Sequence, residues 1–548
     1  MISLAQWGAV DPSLAGFAAA ASALNSLPHS SHFHESGIQT LLASSSLQNL
    51  LNGLGAGPRE ELEQGREKTA SLSYFPAFRV VAEVIGKGEI ETAKDLIRGV
   101  IVAGGLGDLL MALDFIYGEV PEKNYREGVK ALRRIEKGLV KFLGNGIETE
   151  HQFIFSPRAR ERYLKLREQG RQAFDVSAIL SAFLATEYPS TVFPPDKRPK
   201  ILTDYLRKKP GKLVDDGGCF SHTALFAHLG ILQGMSYGVV NLLRHVSVYQ
   251  PEIGLAVDQA GLPFIMTLED WHSIGAGDPK HSVDVIDHLV GSVFLQYGTP
   301  TSGRPIAFQR WSMQRTIDLC PQIPFPYLAL AQLTEVSQEA LRLCDRSDQW
   351  HSNNMWSHIV RGGILIKMGE KEKGIVELKT GLQMTAQFYS VLQRDFPIMT
   401  TDSLPSPSEL EPWVLFVGDS LLREGKYQEV IDLLDPFITM NLGSSQMLLM
   451  VGDAACSLEQ DELAQRCYTA YLKTNPPADY SLATCYFNLA QIAWNDRRDE
   501  ETFDFLDQAV ATHAMGRDLL LQFIGKIQEP EDLTLATNRF RHLFEGQG

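Results

Sequence analysis

Trp413-Val-Leu-Phe-Val-Gly418-Asp-Ser-Leu-Leu-Arg-Glu-Gly425-Lys-Tyr427-Gln-Glu-Val-Ile-Asp-Leu-Leu434 is the stretch on which the fold turns. Apolar residues recur at helical spacing on both sides of Gly425, so two helices meet at that glycine. The pattern returns in Leu449-Met-Val-Gly452-Asp-Ala-Ala-Cys-Ser-Leu-Glu459-Gln-Asp-Glu-Leu-Ala464. Gly418 and Gly452 lie 34 residues apart. A fixed period of that length marks stacked helix pairs, each with an apolar face that only a neighbouring pair can bury.

A later unit runs from Phe487 to Trp494 and on through Arg498 to Phe503, and an earlier one from Arg361 to Gly369 and Lys373 to Leu378. Gly362, Gly418, Gly452 and Ala490 are the small residues at which paired helices approach. In period and small-residue placement these units resemble tetratricopeptide repeats. They depart from that pattern where Glu459 replaces the turn glycine of Gly369 and Gly425, and where Pro436 follows closely on a second helix. The resemblance assigns residues 306–548 to a repeat module with a groove for a protein or peptide partner.

Upstream, residues 1–190 read as a helical region. Val129, Leu132, Ile135, Leu139 and Phe142 share one side of an amphipathic stretch, and Arg59 to Lys68 is a solvated face. Pro194, Pro195 and Pro199 mark a linker. Residues 191–305 differ. An apolar helix from Phe220 to Met235 precedes β-like runs at Tyr237–Leu243, His245–Tyr249, Gly254–Asp258 and Pro263–Leu268. The fold class expected is mostly α, with an N-terminal helical region, one α+β block and a C-terminal α-solenoid.

A chain of 548 residues has room for two to four domains of roughly 100–200 residues each. Its net charge of −16 argues against general binding to nucleic acid or anionic lipid. No apolar run reaches about 18 residues, so no membrane span is expected. The start, Met1 to Asp11, lacks the basic end of a secretory signal. Six cysteines without a CxxC pair do not make a disulfide framework, and a cytoplasmic location is expected.

One constellation carries potential chemistry. In Asp215-Asp-Gly217-Gly218-Cys219-Phe220-Ser221-His222, two glycines precede a cysteine that opens the apolar helix. The positive end of a helix dipole favours thiolate over thiol. Gln250 to Ile253 reads as the turn between two short strands. If Tyr249 faces Gly254, His245 faces Asp258, with Cβ atoms about 4.5–5.5 Å apart. Cys219, His245 and Asp258 then stand as nucleophile, base and orienting carboxylate.

Gly217-Gly218-Cys219, Thr223-Ala224, His245-Val-Ser-Val and Leu255-Ala-Val-Asp258 resemble, in order and approximate spacing, the core of the transglutaminase-like family, relatives of papain-type cysteine proteases. The resemblance covers Leu202 to Gly261. Val246 and Ser247 stand where that family commonly has an aromatic residue. Some bacterial members of the superfamily carry tetratricopeptide repeats after the core, and this chain shows the same order. The resemblance implies a cysteine hydrolase or acyltransferase acting on an amide bond, with no cofactor.

Other readings stay open. The middle block can be inactive, leaving a non-catalytic repeat scaffold. Cys219 is then a buried thiol, and His245 with Asp258 a cross-strand pair. His222 is a second candidate base; more simply, His222 and His228, on the same helix, each pack or face solvent. His29, His32, His34 and Glu35, and His272, Asp278, His281, Asp284 and His288, lack a tight metal-ligand pattern. No metal is expected. Gly104-Gly-Leu-Gly107-Asp108 lacks the Gly-Lys-Ser/Thr of a phosphate loop and reads as a helix break.

Overall fold

The computed structural model describes most of residues 75–143, 154–168, 219–299 and 303–541, and a few positions between. The readings over residues 1–70, the first histidine cluster, and Pro194, Pro195 and Pro199 lie outside the described residues. Two compact units emerge. One comprises residues 1–371 with 391–404, and the other residues 372–390 with 405–548.

The first unit starts with four helices, α1 (Phe75–Lys87), α2 (Ile90–Gly104), α3 (Leu106–Tyr117) and α4 (Glu122–Leu143). The expected helix break is real. Gly105, at φ +88°, ends α2 by donating its N–H to Ile101 O, and α3 starts at the next residue. From Leu106 to Asp114 α3 is buried on every side, which makes it the central helix of this layer.

The α+β block follows: β1 (Ile154–Phe155), α5 (Pro157–Glu168), α6 (Cys219–Leu232), β2 (Gly238–Leu242), β3 (His245–Gln250), β4 (Leu255–Asp258), β5 (Phe264–Thr267), α7 (Leu268–Ser273) and β6 (Val283–Asp284). The sheet order is β1-β5-β4-β3-β2-β6. β1 pairs parallel to β5, and the other pairings are antiparallel. The four expected strands form within a residue or two of their expected bounds. Both outermost strands were missed, because two residues are too few to show alternation. β1 also corrects the all-helical reading of residues 1–190.

Alternation sorts the sheet into two faces. Val239, Val246 and Val248 join the core that contains α6, while Leu255, Val257 and Ile265 pack with Ala159 and Leu166 of α5. On the opposite face Val240, Tyr249, Ala256 and Met266 pack with Trp271 and Leu392. The first core runs without interruption from Phe78 of α1 through α6 and the sheet to Leu319. The N-terminal helices and the α+β block therefore share one interior.

Helices α8 (Val285–Gly298), α9 (Ile306–Leu319), α10 (Phe325–Leu333), α11 (Ser337–Trp350) and α12 (Met355–Lys367) complete the unit. Ser312 Oγ donates to Phe294 O and Thr316 Oγ1 to Gly291 O, binding α9 closely to α8. Next comes α13 (Lys371–Asp395), whose residues 372–390 belong to the second unit. That unit continues with α14 (Pro407–Arg423), α15 (Tyr427–Thr439), α16 (Ser445–Ser457), α17 (Asp461–Leu472), α18 (Tyr480–Asn495), α19 (Asp499–Thr512), α20 (Gly516–Ile524) and α21 (Pro530–Arg539). The fold is thus mostly helical, with one sheet block and a C-terminal array of packed helices.

Candidate functional site: the helical repeats

Three helix pairs, α14–α15, α16–α17 and α18–α19, are each joined by a three-residue turn, which reverses the chain. Side-chain caps start two of the first helices. Ser444 accepts from Met447 N–H and Asp479 from Leu482 N–H. Every turn has the same two hydrogen bonds. Gly425 N–H donates to Leu422 O and Lys426 N–H to Leu421 O. The same spacing recurs at Glu459 and Gln460, and at Arg497 and Arg498. This is a Schellman closure, which places one residue in the left-handed region. Glycine serves at Gly425 (φ +71°), but Glu459 (φ +57°) and Arg497 (φ +59°) adopt the same conformation with a side chain. The departure at Glu459 thus leaves the turn type unchanged. Pro436 lies inside α15, which continues to Thr439.

The small residues sit where helices meet. A Cβ on Gly418 would lie 2.5 Å from Met450 Cε, and one on Gly452 2.6 Å from the Tyr468 ring. Ala490 is fully buried among Phe487, Phe503 and Leu506. Second helices are laced together by exposed polar pairs: Arg466 with Asp435 at 3.1 Å, and Gln460 with Gln428 at 3.3 Å. Arg497 reaches Asp532 of α21 at 3.1 Å, and Arg539 reaches Asp507 at 3.2 Å.

The same helices meet in a half-buried polar cluster. Tyr468 Oη donates to Asp453 Oδ1 at 2.7 Å, and Asn488 Nδ2 lies 2.7 Å from Tyr468 Oη and 3.4 Å from Asp453 Oδ1. Burial pushes the Asp453 carboxyl up to about 6, against the two hydrogen bonds it accepts.

Charge is concentrated in this unit. Residues 405–548 hold 23 acidic and 10 basic side chains, a net charge of −13 out of −16 for the chain. The exposed Glu462, Glu500 and Glu531 stand in the first turns of α17, α19 and α21 and have no ion-pair partner among the described residues. Part of their role is to meet the positive helix ends.

The expected cysteine site fares differently. Cys219 opens α6, His245 opens β3 and Asp258 closes β4, as read from the sequence. Their side chains are not among those described. The hairpin register is displaced, however. Gln250 pairs with Leu255 and Tyr249 with Ala256, so the turn is Pro251 to Gly254, closed by Gly254 N–H to Gln250 O. Gly254 takes φ +67°, which places it in the turn and not in the strand. This shift of two residues along the partner strand moves Asp258 from opposite His245 to opposite Ser247.

The glycines at the break between α2 and α3 also have a packing role. Gly107 N–H donates to His228 Nδ1 at 3.1 Å, which leaves the ring proton on Nε2 to reach Glu136 Oε1 at 2.9 Å. Arg133 pairs with both Glu136 and Asp108, the latter at 2.5 Å. A Cβ on Gly105 would lie 2.8 Å from the His228 ring. The Gly-rich segment therefore makes room for a buried histidine, and of the two readings open for His228, packing or facing solvent, the structure shows packing. Burial pushes Asp108 up to about 6 despite the adjacent Arg133. Hydrogen bonds from His228 and Arg133 outweigh burial at Glu136 and hold it low. A lone His and a lone Asp, 120 residues apart in sequence, gave no signal for this network.

The described cysteines, Cys320, Cys344, Cys456, Cys467 and Cys485, are free thiols, and burial raises Cys320, Cys456 and Cys485. Among the described residues no group of three or more His, Cys, Asp or Glu is placed to hold a metal ion. No described helix is long and apolar enough to cross a membrane.

No protein-family model matches the chain, and no curated protein matches it. Among solved structures, the crystal structure of yeast Tom70 aligns over 93% of this chain and 95% of its own, at 10% identity and a TM-score of 0.21, too loose a likeness to carry an argument. With no family model and no curated protein matching, the reading of a cysteine-nucleophile hydrolase is corrected; the register corrects only the expected pairing of His245 with Asp258.

Proposed function

We propose that this chain is a non-catalytic helical-repeat scaffold whose C-terminal unit docks a protein or peptide partner through a basic segment. The observation that carries this reading is the stack of helix pairs bearing a net charge of −13 over residues 405–548. Such a surface steers cationic partners toward it and repels acidic ones, with an effect that salt weakens. The buried thiols and the shared core of the first unit fit a structural body. A cytoplasmic location belongs to the same reading.

The test uses the full chain and two helical peptides of equal length, one rich in lysine and leucine, the other in glutamate and leucine. Fluorescence anisotropy at low and physiological salt should show the basic peptide bound and the acidic one unbound. Replacing Glu462→Lys, Glu500→Lys and Glu531→Lys together should weaken binding about tenfold. Equal binding of both peptides, or binding indifferent to the charge reversal, would refute the proposal.

A further inference from the structure

Asp453 lies one residue beyond the Gly452 contact with Tyr468, on the face of α16 that meets two other helices. Its Oδ1 accepts from Tyr468 of α17 and Asn488 of α18. One carboxylate therefore ties both helices of a repeat to the first helix of the next. The titratable groups around it are Cys456 on its own helix, Tyr468 and Tyr471 on α17, and Cys485 on α18. The charged groups at the edge act on these neighbours: Asp461 and Lys526 on Cys456, and Asp479 on Tyr471. None of them pairs with Asp453. Among the described residues, no lysine, arginine or histidine bonds to it.

Ionised, this half-buried carboxylate is met at Oδ1 by neutral donors alone, an arrangement whose partial desolvation costs free energy. Protonated on Oδ2, it leaves Oδ1 free to accept both hydrogen bonds as before. The neutral form thus keeps every contact and loses the burial penalty. We propose that Asp453 makes the contact between successive repeats a proton-operated joint, in which the protonated carboxyl locks α16, α17 and α18 together and the ionised one loosens them. Desolvation pushes this carboxyl up to about 6, above the ordinary aspartate value of about 3.9. Such a group binds its proton in the folded state first, so the joint strengthens as pH falls from above 6 toward 4 and weakens as pH rises through 6.

Hydrogen exchange of the full chain at pH 5.5 and 7.5, corrected for intrinsic rates, tests this. Amides of α17 and α18 should open about fourfold more readily at pH 7.5. In Asp453→Asn they should stay protected at both values. Tyr468→Phe removes a donor to the carboxylate and should shift the transition to higher pH. A wild-type chain with no pH effect in these helices overturns the proposal, and so does an Asn variant that keeps the effect. Should that variant fail to fold, the carbon-13 carboxyl titration of the wild-type chain decides: every aspartate and glutamate of residues 405–548 titrating at or below about 4.5 overturns it.

Discussion

Asp108 in the first unit, fully buried, and Asp453 in the second, half-buried, are both carboxylates pushed up to about 6, by different balances. Asp108 has a cation, Arg133, which also holds Glu136, and Glu136 in turn holds His228. Burial at Asp108 is deep enough to win against that cation. Asp453 has only a phenol and an amide, so a shallower site reaches the same value. The lesson is that a raised carboxyl does not reveal its setting. One aspartate belongs to an ion network that fails when a partner is removed. The other belongs to a neutral cluster that fails when its own charge appears.

The largest consequence lies in the first unit. Arg133→Met leaves Asp108 a buried carboxylate without its cation, while the half-buried Glu136 keeps His228. Chemical denaturation should show a loss of about 3–5 kcal/mol, the usual cost of breaking a buried pair from one side. The matching change in the second unit, Asn488→Ala, removes one neutral donor and should cost only about 1 kcal/mol. Similar losses from both would erase the contrast.

Steric tests sharpen it next. Gly452→Ala puts a Cβ 2.6 Å from the Tyr468 ring, whose hydroxyl is anchored to Asp453, so the ring cannot easily retreat. A loss of about 1–3 kcal/mol is expected. Gly107→Ala meets the terminal Leu132 Cδ2 at 2.9 Å and the His228 ring at 3.2 Å. A leucine end can swing away, so that variant should cost less, as thermal unfolding of each will show.

These contrasts also explain what was legible in the sequence. Gly418, Gly452 and Ala490 revealed the repeats because helix pairing is local and its period repeats. The strands from Gly238 to Thr267 were legible by alternation. The hairpin register was not. It hangs on whether Gly254 is the last residue of the turn or the first of the strand, and that single choice moved Asp258 away from His245. The Asp108–Arg133–Glu136–His228 network was hidden because its members come from three helices and share no spacing. Gly104 to Asp108 was legible as a helix break, but its close packing against His228 was not.

A pH comparison of intermediate size follows from the shifts. Asp453, raised, contributes stability that is lost as pH climbs through about 6. In the first unit Asp108 does the same, but Glu136 is held low and contributes stability that is lost as pH falls. The two partly cancel. Asp453→Asn should therefore remove about 1–2 kcal/mol of pH dependence between pH 4.5 and 7.5 from the second unit, and stability curves across that range will show whether it does.

The smallest effect separates two turns of identical backbone. Glu459 and Arg497 both sit in the left-handed region, which costs a residue with a side chain about 1 kcal/mol relative to glycine. Glu459 is exposed and has no ion-pair partner among the described residues. Glu459→Gly should thus stabilise the second unit by about 0.5–1 kcal/mol, visible as a higher denaturation midpoint. Arg497 differs because its guanidinium grips Asp532 at the start of α21. An exposed pair of this kind contributes about 0–1 kcal/mol, so Arg497→Gly gives up much of what the backbone gains. Its midpoint should move by less than that of Glu459→Gly. At high salt, which weakens the Arg497–Asp532 pair, the two variants should converge, and a gap that persists there would mean that the pair does not explain why an arginine occupies a glycine's place.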